Sequence, residues 1–418
     1  MDYRTRIVDQ EIEDQLGAAG AVLVKGPKGC GKTETARIHA NSEIAIDDSP
    51  AVRIAMSADP GYLLVGDTPR LIDEWQEQPQ LWNSIRHEVD RRRKKGQFIL
   101  TGSSTPRDDE LQGVHSGVGR FGIITMGTMS WFERGWSTGE VSLRAVIEGG
   151  DVRSQPVDTP LAVIAERLTV GGWPGNLDLD VRHSTMANAN YYELLTQVDF
   201  GRTVGIGRNP ETVRRVLASL ARNVATGCAV TRIAADAGGA DGPLDRGTVA
   251  EYLAALGRLM ICDDLPAWNT HVRSAARLRK TPKRHFCDPS VACMALGLGP
   301  ERLLGDLEYL GFVFESAVIH DLRVYASRLG ARVSQYRDSN GREADAILEF
   351  RDGSWAAVEV KLGFGAVGQA ADSLLAVAAT VDQGRIGAPR ALIAVTGSGF
   401  AHRRTDGVTV VPLGALRD

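Results

Sequence analysis

Eight consecutive residues near the start, Gly26-Pro27-Lys28-Gly29-Cys30-Gly31-Lys32-Thr33, follow the pattern G-x-x-x-x-G-K-[ST]. Such a stretch holds a chain of phosphates. Its glycines let successive backbone N–H groups turn inward, and a following helix adds the positive end of its dipole. The lysine reaches the β and γ oxygens, and the threonine hydroxyl is a ligand for Mg²⁺. A Mg²⁺ site also needs a carboxylate at the end of a neighbouring strand, and Leu71-Ile72-Asp73-Glu74 offers two. Asp73 is the expected holder of the metal's water shell, and Glu74 the group that orients and deprotonates an attacking water. A polar residue between that water and the γ-phosphate is expected where Gln97–Leu100 runs into Thr101-Gly102-Ser103-Ser104. Thr101 and Ser103 both qualify, with Ser103 preferred. Arg120, just before a further strand, is the candidate cation for the transition state, presented by a neighbouring subunit in a homo-oligomer.

A second set of residues suits phosphodiester chemistry, which takes two or three carboxylates around Mg²⁺ and a lysine. Glu343-Ala344-Asp345 and Glu359-Val360-Lys361 lie on strand-like runs flanking Arg351-Asp352-Gly353, a plausible hairpin turn. If the turn centres on Asp352, Asp345 faces Glu359 and Glu343 faces Lys361. The period-two alternation of a strand then puts all four on one sheet face. Asp345 and Glu359 are the expected metal ligands. Glu315 falls on the preceding helix and Gln369 opens the next one. Two other readings stand beside an active site. One is a cross-strand salt-bridge ladder, worth about 0.2–1 kcal/mol per exposed pair; the other is a nuclease fold kept only for DNA binding.

Elements of matching kinds flank these residues. Ala21–Val24 is a short apolar strand before the glycine loop, and a helix-like stretch begins at Thr33. Strand-like runs follow at Tyr62–Val65, Arg70–Ile72, Gln97–Leu100 and Phe121–Met126, with a helix pattern over Gln80–Lys94. Strands alternating with helices predict a parallel α/β sheet. The Gly- and Pro-rich stretch from Glu148 to Pro160 reads as a linker. The block 161–298 is mainly helical. Its strand-like pieces Met260–Leu265 and Arg284–Cys287 suggest a winged-helix arrangement, and Ala234–Pro243 reads as a loop. The block 299–418 carries a long helix, Leu307–Leu329, then strands and a helix over Ala366–Ala379, a further α/β domain. At about 150 residues per domain, 418 residues accommodate roughly three.

Composition narrows the partners. With 43% hydrophobic and 24% charged residues, fibrous and wholly disordered classes fall away. The net charge of −4 excludes a polybasic nucleic-acid binder as a whole. Local basic patches remain: Arg91-Arg92-Arg93-Lys94-Lys95 reads as a solvated helix end. The acid-free stretch Thr270–Cys287, with Arg273, Arg277, Arg279, Lys280, Lys283 and Arg284, is the candidate DNA-contacting surface. Five scattered cysteines without a CxxC pair fit neither a disulfide framework nor a zinc site. No apolar run reaches the ~18 residues of a membrane span, so the expected location is the cytoplasm.

Taken together, Gly26–Thr33, Leu71-Ile-Asp-Glu-Trp-Gln76, Ile99-Leu-Thr-Gly-Ser-Ser104, Gly119-Arg-Phe121, Met129-Ser-Trp-Phe-Glu133, Gly171-Gly-Trp-Pro174 and Lys283-Arg-His-Phe-Cys-Asp288 resemble prokaryotic AAA-type ATPases fused to a C-terminal domain of unknown function. The resemblance implies a nucleotide-binding domain over residues 1–148, a winged-helix-like middle and a restriction-endonuclease-like end, with ATP and Mg²⁺ as cofactors. The order Glu315, Asp345, Glu359-x-Lys361, Gln369 is similar to the PD-(D/E)xK nuclease superfamily. The resulting expectation is a Mg²⁺-dependent ATPase coupled to a DNA-handling half. The alternative is a nucleotide switch that binds a protein partner and carries an inert nuclease-like domain.

Overall fold

The computed structural model describes residues 3–46, 50–104, 116–201, 209–239, 242–268 and 281–418. The first segment opens with helix α1 (Val8–Ala18) and strand β1 (Ala21–Lys25), whose run Ala-Val-Leu-Val is buried on both faces. Such a run suits the interior of a parallel sheet covered on both sides. The glycine loop follows, then α2 (Lys32–Ile38), β2 (Ser42–Ala45), β3 (Arg70–Asp73), α3 (Leu81–Arg92), β4 (Phe98–Gly102) and β5 (Phe121–Thr125). The five strands lie in the order β2-β3-β4-β1-β5, and every pairing is parallel. The C-terminal ends of β1, β3 and β4 therefore meet at one edge.

One expected strand is a helical turn. Residues Pro60–Leu64 form a 3₁₀ helix, because Pro60 presets the first turn and the Asp59 side chain accepts the Gly61 N–H.

The middle is helical, with α4 (Leu161–Val170), α5 (Val181–Leu194), α6 (Pro210–Arg222), α7 (Val230–Gly238) and α8 (Arg246–Arg258). Helix α7 runs through much of the expected Ala234–Pro243 loop. After α8, antiparallel bridges join Cys262 to Phe286 and Leu265 to Lys283. The expected strand pieces thus meet as isolated bridges rather than as a continuous ladder.

Helix α9 (Leu307–Leu329) follows, buried along most of its 23 residues. It packs on a mixed sheet built from β7 (Ala331–Arg337), β8 (Glu343–Phe350), β9 (Trp355–Lys361), β10 (Leu392–Thr396), β11 (His402–Arg403) and β12 (Thr409–Pro412), with α10 (Val367–Thr380) also against it. A last strand, β13 (Leu416–Arg417), pairs in parallel with β6 (Val141–Ser142) near the end of the first segment.

The segments share a core. One buried cluster includes Trp131, Leu168, Leu217, Phe314, Val358 and Leu416. The expected linker takes part in it: Val152 is buried and Val157 pairs with Gly399. Trp75, Trp131 and Trp173 are buried. All five cysteines are free.

Candidate functional site

The glycine loop sits at the edge where β1, β3 and β4 end. Gly26 donates its N–H to the Gly102 carbonyl at 3.3 Å. A Cβ there would lie 2.2 Å from the Met126 carbonyl oxygen and 2.9 Å from Cys30 Sγ, so only glycine fits. Gly29 and Gly31 take φ values of 80° and 96°, which turn the loop through left-handed backbone. Lys32 opens α2 almost fully buried, with Nζ 3.5 Å from the Pro27 carbonyl.

The acids arrive from β3. Thr33 Oγ1 donates to Asp73 Oδ1 at 2.9 Å, and the Thr101 hydroxyl at the end of β4 donates to the same oxygen. A hydroxyl and a carboxylate in contact beside the glycine loop suit a hard divalent cation, and these two residues would hold Mg²⁺. Glu74 stands one residue on, at φ 54°. That left-handed turn ends the strand and swings the Glu74 carboxylate toward the end of β4. Ser103 Oγ donates to Glu74 Oε2 at 2.8 Å, and the Gln76 amide donates to it too. Both hydroxyl candidates at the end of β4 are thus engaged, Thr101 with Asp73 and Ser103 with Glu74.

Arg120 lies elsewhere. Phe121 is in register with Ala21, so Arg120 sits at the opposite edge of the sheet, five strand residues or about 16 Å from the loop. It pairs with Asp90 at 3.0 Å. Within one chain it does not reach the loop, and a role for it requires a second subunit.

One participant, Arg6, carried no sequence signal as a site residue. Arg6 donates from Nη1 to the Cys30 carbonyl in the loop, from Nη2 to the Gly127 and Thr128 carbonyls, and from Nε to Glu133, all within 2.9–3.1 Å. Trp173 and Tyr191 from the middle segment cover Gly29, and Pro174 covers Gly31. Lys28 reaches across to Asp199 at 3.1 Å. A cavity of 530 Å³ opens beside Gly31 and Thr35, lined also by Tyr3, Arg4, Pro174 and Leu177. Past β5, Thr128 Oγ1 donates to Asp288 at 2.6 Å and lies 3.0 Å from His320 Nε2. Asp321 accepts from the Trp131 N–H at 2.9 Å. The loop edge is therefore tied by hydrogen bonds to α9.

The second cluster forms at Glu315 on α9, Asp345 on β8 and Glu359 and Lys361 on β9. The register of β8 with β9, Ala346 opposite Val358 through Glu349 opposite Trp355, is the one expected from a turn at Asp352. Glu359 and Lys361 pair at 2.8 Å. Glu343 lies 3.8 Å from Arg337, and Gln369 is exposed on α10.

The structure corrects the basic surface here. Lys283 is buried, with Nζ 2.8 Å from Glu315 Oε1 and 2.9 Å from Asp345 Oδ1. Arg284 is buried too, bound to Asp264 and to the Cys228 carbonyl. Acidic partners distant in the sequence draw both side chains inward, so neither faces DNA. Arg273, Arg277, Arg279 and Lys280 lie outside the described residues. Arg91 and Arg92 are held by Glu88 at the end of α3.

Burial, then the nearby Asp345 charge, raise Glu315 to about 8 and Glu359 to about 7. Burial alone would depress the two lysines, but Asp345 and Glu315 hold the Lys283 ammonium above the ordinary range, and Glu359 does so for Lys361. An acid whose folded pKa is raised binds more protons folded than unfolded, so stability falls as pH rises from about 4.5 toward 8. Glu315→Gln removes one such proton site, and its melting temperature is expected to decline less between pH 5 and pH 8 than that of the unaltered chain. Parallel decline in both would assign the slope to other groups.

The family model of the AAA domain matches residues 18–134, and two domains of unknown function match residues 162–302 (DUF8612) and 310–416 (DUF4143). Among curated proteins none matches. Similar solved structures include the Walker-type ATPase PABY2304 of Pyrococcus abyssi, 14% identical, with 69% of this chain and 94% of that one covered at a TM-score of 0.43. Another is the Hef helicase domain of Pyrococcus furiosus, 11% identical, with 99% and 94% covered at a TM-score of 0.21. Among the described residues no helix is long and apolar enough to cross a membrane.

Proposed function

We propose that the chain is a Mg²⁺-dependent ATPase whose nucleotide state is coupled to a DNA-handling C-terminal half. The observation that carries the reading is the convergence of Lys32, the Thr33–Asp73 pair and the Ser103–Glu74 pair at one sheet edge. Bound Mg²⁺ supplies neutralisation of charge on the β- and γ-phosphates. Lys32 exchanges its weak contact with Pro27 for phosphate oxygens, while Glu74, fixed by Ser103 and Gln76, orients the attacking water and takes its proton. The 530 Å³ cavity beside Gly31 and Thr35 has the place and size for the nucleoside. Arg120 of a neighbouring subunit supplies the remaining cation. Coupling runs from Arg6 and Thr128 to Asp288, His320 and Asp321.

The C-terminal half supports a restriction-endonuclease-like reading through the order of its acids, and helices α6–α8 with the bridged segment after them support a winged-helix one. The alternative of a nuclease-like half that does not cut, serving a switch with a protein partner, draws support from one observation: Lys283 already neutralises two of its acids.

The test is steady-state ATP turnover with Mg²⁺, with and without single-stranded, duplex and branched DNA, at two salt concentrations. Stimulation that fades with salt is expected, since phosphate contacts weaken as counterions compete. A rate indifferent to every DNA would transfer the assignment to the protein-partnered switch.

A further inference from the structure

The carboxylates Glu315, Asp345 and Glu359 have the types and order of a divalent-cation site, yet their arrangement does not suit one. Among the described residues no group of three or more His, Cys, Asp or Glu is disposed to hold a metal ion. The reason is visible in the contacts. Lys283 Nζ stands between Glu315 Oε1 and Asp345 Oδ1, at 2.8 and 2.9 Å, where a cation shared by those two acids would sit. Asp345 Oδ2 is occupied by the Val360 N–H at 2.9 Å, and Glu359 Oε1 by Lys361.

A buried acceptor remains. Glu359 Oε2 is buried with no hydrogen-bond partner, on a side chain only 5% exposed. A buried carboxylate oxygen left without a donor is costly, and here it belongs to the same cluster as the two acids that Lys283 bridges. The cluster thus carries an unfilled acceptor beside a position already taken by a protein ammonium.

Lys283 is held in place by its own segment. It exchanges both backbone hydrogen bonds with Leu265, at 2.8 and 3.1 Å. On the next residue, Arg284 is tied to Asp264 and Cys228, and His285 Nδ1 lies 3.1 Å from Ser316 Oγ on α9. The lysine therefore comes from the middle segment, within residues 162–302, while the acids belong to the C-terminal one, within 310–416. An ammonium supplies one charge and three donors to oxygens that a divalent cation would otherwise bind directly.

We propose that Lys283 occupies the cation position of the Glu315–Asp345–Glu359 cluster, so that the cluster takes a divalent cation only when Lys283 is withdrawn. The middle segment then acts as a plug in the nuclease-like half, and cleavage chemistry is closed in the state described. The inference rests on the nuclease-like reading of the C-terminal half and not on the ATPase reading; a chain without ATP turnover answers it equally.

The experiment measures Mn²⁺ binding to the full chain without nucleotide, by titration followed with electron paramagnetic resonance. It compares the unaltered chain, Lys283→Met, Lys283→Gln, Asp345→Asn alone, and Lys283→Met combined with Asp345→Asn. The neutral variants are expected to gain a Mn²⁺ site that Asp345→Asn abolishes, and Mn²⁺ is expected to raise their melting temperature by more than that of the unaltered chain. Lys283→Gln keeps the position filled with a polar side chain and serves if Lys283→Met does not fold. A Mn²⁺ site in the unaltered chain that is lost on Asp345→Asn would overturn the proposal. So would a folded neutral variant that gains none.

Discussion

Glu74→Gln is expected to keep ATP bound while turnover falls by about 10²–10⁴, the range for removing a positioned general base. The amide is isosteric, so the Ser103 hydroxyl still finds an oxygen at the end of β4 and the loop is undisturbed. The comparison is Lys32→Ala, which removes the buried ammonium that the ATPase reading assigns to the phosphates; turnover is expected to fall by about 10²–10³ or more, and ATP affinity with it. Nucleotide binding followed with a fluorescent ATP analogue, beside steady-state turnover, separates the two. Normal turnover in Lys32→Ala would remove the ATPase reading altogether. Normal turnover in Glu74→Gln would leave it standing and move the base elsewhere.

The largest effect on stability is expected at a residue with no part in the phosphate motif. Arg6 and Glu133 form an ion pair at 2.9 Å with side chains 5% and 2% exposed. Arg6→Ala leaves the Glu133 carboxylate buried with only the Ile7 and Ser130 N–H groups and the Ser130 hydroxyl as donors. Stranding one member of a buried pair costs about 3–5 kcal/mol. The urea midpoint should fall accordingly. ATP affinity should also fall, because the same guanidinium holds the Cys30 carbonyl in the loop. An unchanged midpoint would mean that water reaches Glu133.

What the sequence discloses depends on how far apart the interacting residues lie. The loop Gly26–Thr33 is legible because its constraint is local: backbone turns that only glycine makes, next to a strand and a helix. The β8–β9 register is legible because a short turn and period-two alternation leave little choice, and Ala346 opposite Val358 follows from the turn position. Arg6 is illegible because its partner Glu133 is 127 positions away. Lys283 misleads for the same reason. In the sequence it stands among cations and resembles a phosphate contact, whereas its partner Asp345 lies 62 positions on and turns it inward. The Tyr62–Val65 stretch is apolar enough for a strand, but Asp59 and Pro60 settle the turn before the sheet can recruit it.

The pairing of β13 with β6 bears on how the molecule comes into being. Ser137 donates its hydroxyl to the Leu416 carbonyl, 279 positions later, and Leu413, Ala415 and Leu416 are buried in the shared core. During synthesis a chain ordinarily folds its earlier parts first, but here the end of the first segment waits for residues made 279 positions later. Contacts of such long range also slow folding, because the loop they close must be ordered before they reward it. A chain interrupted before Leu413 leaves Val141 and Leu143 without these partners, with apolar surface uncovered beside the phosphate-loop half. Completion of the phosphate-loop half is thereby deferred until Leu413 to Arg417 have been made, and a chain interrupted before them carries that half unfinished as well.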